Sequence, residues 1–147
     1  MRLDDWRAAG TFRDSPYGPI FTRTEGSGPA LLFIHGFPTA SWDWSAVWPA
    51  FTPCFRCLAL DMAGFGFSAK PVAATYSIAK QADLLEHWLG AEGVTEYACI
   101  AHDYGDTVAQ ELLARQGGDG PQMTRLVLLN GGLFPETHQP LPLQKLL

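Results

Sequence analysis

Charge is scarce in this sequence: Asp, Glu, Lys and Arg make up 17% of its 147 residues, with 10 basic side chains against 15 acidic ones. A net charge of −5 leaves no basic surface to release counterions from a phosphate backbone, so nucleic acid is not an expected partner. Long apolar runs are also missing. Ala30 to Ile34 and Leu126 to Leu129 fall far short of the roughly 20 residues that cross a bilayer. Acidic Asp4 and Asp5 stand where a signal peptide would carry its apolar stretch, which makes the cytoplasm the expected compartment. Three cysteines cannot all pair with one another, which argues against a disulfide-built secreted domain. There is no internal repeat, low-complexity tract or charge block.

What is present is a 47% hydrophobic chain, enough for one globular domain with a true core. Short apolar runs alternate with amphipathic stretches, the pattern of a mostly parallel sheet covered by helices. Residues 7–13 and 18–24 read as strands around a turn at Asp14 to Gly18, and Leu31 to Ile34 as a buried strand. Trp44, Val47, Trp48 and Phe51 share one face of a helix over 41–51 that Pro49 is expected to kink. Cys57 to Leu60 is the next strand. A helix capped by Ser77 follows, with Ile78, Ala82, Leu85 and Leu89 inward and Gly90 or Gly93 as its stop. Tyr97 to Ala101 is another strand, Thr107 to Gln116 a helix, and Leu126 to Leu129 the last strand.

Three loops fall at the carboxyl ends of predicted strands, where open α/β sheets place ligands. They are His35-Gly36-Phe37-Pro38, Asp61 to Ser68, and Ala101-His102-Asp103-Tyr104-Gly105. The third has small residues two before and two after its centre, as a sharp strand-to-helix elbow requires where the two elements nearly touch. At the centre stands Asp103 rather than serine or cysteine. A carboxylate attacks an amide carbonyl poorly, but it can displace at a saturated carbon and form an alkyl ester. The start of the following helix lends that carboxylate positive potential.

His-Gly-Phe-Pro and His-Asp-Tyr-Gly, bridged by Asp-x-x-Gly-x-Gly-x-Ser, resemble the α/β-hydrolase family in its epoxide hydrolase and haloalkane dehalogenase branch. The run from His102 to Asp106, with Asn130 to His138 after it, is most similar to the mesoderm-specific transcript-like hydrolases. The resemblance implies an α/β-hydrolase fold, Asp103 as nucleophile, and an oxyanion hole from the N–H groups of Phe37 and Tyr104. Such donors are often worth about 3 kcal/mol each. His35, Gly36, Pro38, Ala101, His102 and Gly105 would shape the surrounding loops. No cofactor and no metal are called for, and the implied substrate is a small apolar organic molecule.

The resemblance also implies a histidine base and an orienting acid on later loops. None of His35, His87, His102 and His138 matches that base. Asn130 replaces the acid that some relatives carry after the sixth strand, and Glu136 is a weak substitute. The chain is therefore expected to be the N-terminal part of a hydrolase, truncated after about the sixth strand. Residues 1–133 would form the core portion and 134–147 the start of the lid. As written it would be incomplete as a catalyst, with an exposed sixth strand that could self-associate. Dehalogenases of the branch use Asn and Trp at the positions of Phe37 and Tyr104, and fluoroacetate-type enzymes place Arg after the nucleophile. Epoxide opening is the favoured expectation. Dehalogenation and a non-catalytic binding module remain alternatives.

Plainer readings stand beside these. Asp103 could simply cap a helix. Gly64 to Ala69 fits a dinucleotide fingerprint, but Lys70-Pro71 forbids the helix that fingerprint needs, which leaves a turn whose N–H groups Asp61 anchors. Cys54-x-x-Cys57 is expected to be core thiols, and Trp42, Trp44 and Trp48 core and lid contacts.

Overall fold

The computed structural model describes residues 1–118 and 120–131. Six strands form one sheet: β1 (Thr11–Arg13), β2 (Ile20–Glu25), β3 (Ala30–Ile34), β4 (Arg56–Leu60), β5 (Glu96–His102) and β6 (Gln122–Leu129). Their order is β1-β2-β4-β3-β5-β6. The two pairings of β2 are antiparallel, while β4, β3, β5 and β6 run parallel. From β3 the chain crosses outward to β4, whereas β5 lies on the other side of β3 and leads to β6. Neighbouring strands thus send their connections in opposite directions, which opens a crevice at the carboxyl ends of β3 and β5.

Alternation along the strands builds two cores. Leu32 and Ile34 of β3, with Leu58 and Leu60 of β4, pack against α3 (Ile78–Ala91) and α4 (Tyr104–Ala114). Leu31 and Phe33, with Cys57 and Ala59, face α1 (Leu3–Ala8), a 3₁₀ segment (Ser41–Ala46) and α2 (Trp48–Phe51). The side chains of Trp6, Trp44 and Trp48 fill that second layer, and Phe33 meets both Trp44 and Trp48 at ring separations of 5.2 and 5.3 Å. No helix among the described residues is long and apolar enough to cross a membrane.

Several expected boundaries move. Residues 7–13 are not one strand: α1 precedes a three-residue β1, because Asp4 and Asp5 suit a helix N-terminus and Trp6 is drawn fully into the core. The helix expected over 41–51 is instead a 3₁₀ turn followed by α2. Pro49 sits in the first turn of α2, where its missing N–H has no intrahelical partner to lose, so it starts a helix rather than kinking one. Val47 and Trp42 face outward, and among the apolar side chains of this segment Trp44 and Trp48 are the buried ones. Helix α4 begins at Tyr104, three residues earlier than expected, and stops at Ala114. Cys54 is exposed, whereas Cys57 is buried and burial pushes its thiol up to about 11. The Ser77 cap holds, its hydroxyl accepting from the Lys80 N–H at 3.3 Å, and α3 runs through Gly90 to end before Gly93 at φ +70°. No helix opens at Gly66, which removes the structural context of a dinucleotide site. Residues 134–147, including Glu136 and His138, lie outside the described residues.

Candidate functional site

The bend at Asp103 is backbone that a residue with a Cβ rarely adopts: φ is +54° and ψ −117°. Neighbours hold it there. Asp103 N–H donates to the Leu129 carbonyl at 3.0 Å, and the Asp103 carbonyl accepts from Asp106 N–H at 3.0 Å. Ala101, before the bend, is fully buried. Gly105, after it, lets α4 run against the end of β3, since a Cβ there would stand 2.6 Å from the His35 carbonyl oxygen and 2.7 Å from that of Ile34. The small residues around the elbow are thus explained by contact distance.

Across the crevice, the loop after β3 supplies an amide. Phe37 N–H donates to Asp103 Oδ1 at 2.8 Å. Gly36 permits this approach, because a Cβ on it would lie 2.8 Å from that of Asp103 and 3.0 Å from His102 Nδ1. Pro38 follows through a cis peptide. Asp103 Oδ2 accepts no hydrogen bond from the described residues. Tyr104 N–H, the first amide of α4, has no intrahelical acceptor. Asp103 is therefore half-buried, gripped on one oxygen and open on the other.

His35 lies under this site, fully buried, and shapes its loop. Its Nδ1 lies 2.8 Å from the Gly36 carbonyl and its Nε2 lies 3.0 Å from Met62 N–H. A carbonyl can only accept and an amide can only donate, so the ring is neutral with its proton on Nδ1. Burial pushes its pKa below the usual histidine value, against the pull of the Gly36 carbonyl, Asp61 and Asp43. With both nitrogens engaged, it has no nitrogen left to activate water. His87 is exposed on α3. His102 also approaches the elbow, its Nδ1 lying 3.0 Å from where a Gly36 Cβ would stand, and it lines a cavity of about 510 Å³ with Trp42, Trp44 and Leu129.

The loop after β4 is knotted around Asp61. Its Oδ1 accepts from Ser41 N–H at 2.8 Å and Ser41 Oγ at 2.6 Å, and its Oδ2 accepts from Phe67 N–H at 2.7 Å. The Trp6 indole N–H donates in turn to Ser41 Oγ at 3.2 Å. Gln81, buried on α3, holds both the N–H and the carbonyl of Ala63. Lys70 donates to the Gly66 and Ser68 carbonyls at 2.5 and 3.0 Å.

This rigid loop presents Phe65, which the sequence reading did not single out. Its ring lies 5.3 Å from His35, 6.1 Å from Phe37 and 5.8 Å from Tyr104. Phe37, Phe65 and Tyr104 thereby form one apolar wall beside the open carboxylate. Burial raises the Tyr104 phenol, which keeps its proton. A polar residue amid the inward stripe of α3 was the available signal for Gln81. Phe65 carried none beyond its place in a glycine-rich loop.

A helix-flanked sheet that holds one side chain on a strained strand-to-helix bend, facing an amide from the neighbouring strand's loop, has the architecture of a hydrolase of the α/β class. The chain belongs to the α/β-hydrolase family: the family model described as alpha/beta hydrolase fold matches residues 29–146. Over 99% of its length it is 45% identical to the mesoderm-specific transcript homolog protein of Bos taurus, covering 46% of that protein. Among solved structures it superposes on a haloalkane dehalogenase DbeA-M1 loop variant from Bradyrhizobium elkanii with a TM-score of 0.73 and 30% identity. That match covers 81% of this chain and 39% of the other. It superposes on the structure of a putative epoxide hydrolase from Pseudomonas aeruginosa with a TM-score of 0.73 and 25% identity, over 81% and 40% of the two chains. The chain spans about half the length of the curated relatives it matches.

Proposed function

We propose that Asp103 is the nucleophile of a hydrolase that opens a small apolar electrophile, most naturally an epoxide, through an alkyl ester. The observation that carries this reading is the asymmetric grip on Asp103, with Oδ1 held by Phe37 N–H at 2.8 Å and Oδ2 free. In the first step Oδ2 bonds to a ring carbon as the carbon–oxygen bond breaks, and the released oxygen takes a proton from water. In the second step water adds to the ester carbonyl, whose oxygen develops charge where Phe37 N–H already points and Tyr104 N–H can join it. Phe37, Phe65 and Tyr104 would receive the apolar part of the substrate.

The second step needs a base to take the water's proton. Among the described residues no histidine hydrogen-bonds to the carboxylate, which Phe37 N–H alone contacts, so clearance of the ester should be slow. A missing general base slows such a step by about 10²–10⁴-fold. Intact mass after incubation with styrene oxide tests this. A persistent adduct of one epoxide on Asp103, absent in Asp103→Asn, is expected. A folded protein with no adduct overturns the reading.

The dehalogenase alternative shares the nucleophile but not the donors: Phe37 offers a phenyl ring to a departing halide. Halide release from a 1-haloalkane, with epoxide untouched, would favour it. A second reading rests on β6, where Val127 and Leu129 are exposed. In it the fold pairs with a second copy of itself and performs no chemistry. A dimer in sedimentation, combined with no adduct, would favour that reading.

A further inference from the structure

Among the described residues, Asp106 is the one fully buried carboxylate beside the elbow that the proposed chemistry does not use. It is the third residue of α4, and Asp103 is that helix's cap. In an ordinary capping box the cap side chain takes the amide three residues on, and that residue's side chain returns the favour to the cap's own N–H. Neither half of that exchange is made here: the Asp103 side chain makes no capping hydrogen bond, and the Asp103 N–H goes to the Leu129 carbonyl rather than to Asp106.

A strand is inserted into the box instead. Asp103 N–H donates to the Leu129 carbonyl at 3.0 Å, Leu129 N–H donates to Asp106 Oδ1 at 3.4 Å, and Asp106 N–H donates to the Asp103 carbonyl at 3.0 Å. The three bonds close a ring through the nucleophile's backbone, the first turn of α4 and the last residue of β6. Asp106 Oδ2 finds no well-formed hydrogen bond and lies against Gly131, where a Cβ would stand 2.1 Å from it. Burial raises the Asp106 carboxyl and the Asp103 charge adds to this, while the amides of Leu129 and Gly131 and the nearby His102 oppose it.

We propose that Asp106 is a positioning residue that fixes the nucleophile: by holding the Leu129 N–H it anchors the strand end whose carbonyl takes the Asp103 N–H, and so sets the bend from which the Asp103 carboxylate meets Phe37 N–H. The inference deepens the reading of Asp103 as nucleophile and rests on it for its kinetic arm. Its spectroscopic arm does not. An ordinary structural carboxylate would change stability alone. A positioning one must also change where Asp103 points in molecules that remain folded.

The test uses the full chain with Asp106→Ala and Asp106→Asn, the latter retaining an oxygen acceptor for Leu129. The first readout is the Phe37 amide proton in NMR, which a charged acceptor moves downfield, with Asp103→Asn defining the shift when that acceptor is neutralised. In folded Asp106→Ala this resonance should move most of the way to its Asp103→Asn position, and in Asp106→Asn it should stay near wild type. The second readout is ester formation with styrene oxide at saturation: the limiting rate should fall about 10- to 100-fold in Asp106→Ala, with half-saturation unchanged, and recover in Asp106→Asn. An unmoved Phe37 amide in folded Asp106→Ala overturns the proposal, as does an unchanged limiting rate. Wild-type protein that forms no ester sinks the nucleophile reading, and the amide arm still decides on Asp106. Should Asp106→Ala fail to fold, Gly131→Ala applies the same displacement from the far side, and an unmoved Phe37 amide there overturns the proposal equally.

Discussion

His35 Nε2 accepts the Met62 backbone N–H at 3.0 Å, so the loops after β3 and β4 share one neutral imidazole. Protonating that nitrogen would turn an acceptor into a donor facing a donor, in a fully buried place. The folded pKa therefore lies below the ordinary histidine value of 6.5. Between those two values the unfolded chain binds more protons than the folded one, so stability is whole above 6.5 and drains away as pH falls beneath it. Urea denaturation at a series of pH values should show this slope. In His35→Gln, which keeps an acceptor but does not titrate, the slope should flatten.

Glycines should divide by what a new methyl would meet. In Gly105→Ala the methyl presses on two backbone oxygens of the β3 end, and in Gly36→Ala on Asp103 itself. Both should lose about 1–3 kcal/mol in chemical denaturation, and both should lose ester formation. Gly90, inside α3, meets nothing within 4 Å. Gly90→Ala should therefore gain about 0.5–1 kcal/mol from helix propensity and leave the elbow untouched.

Asp61→Ala should be among the costliest single changes. It orphans the Ser41 N–H, the Ser41 hydroxyl and the Phe67 N–H together. Each buried donor left unpaired costs roughly 1–3 kcal/mol. A drop in denaturation midpoint well beyond that of Ser77→Ala, which loses one exposed cap worth about 1 kcal/mol or less, is the expected result. Equal losses in the two variants would show that the Asp61 knot is dispensable.

The sheet was legible where local chemistry and tertiary demand agree. Leu31 to Ile34, Cys57 to Leu60 and Tyr97 to Ala101 are apolar runs too short for helices, ended by turn residues, and each is a central strand. The elbow was legible because its spacing of small residues states a steric requirement, and His35 and Gly36 fall beside it as expected. The first helix was not, because its stability comes from burying Trp6 against Arg23, Ser41 and Trp48, the nearest of which is 17 positions away and outside any local window. The start of α4 was misplaced for a related reason: Tyr104 and Gly105 look like turn residues until β3 is seen pressing against them. Phe65 joins the site only because the strand order brings three loops together, and Asp106 matters only through Leu129. Side chains that act across the fold leave little trace in their own neighbourhood.

Trp6 is tied to the site by a relay of four groups, its indole to the Ser41 hydroxyl, on to the Asp61 carboxylate, and out to the Phe67 amide two residues past Phe65. The amino terminus is accordingly a remote anchor for the pocket wall. Clipping the peptide ahead of Arg7 would remove no residue near Asp103, yet it would let solvent in at the far end of this relay and slacken the aromatic surface of Phe37, Phe65 and Tyr104.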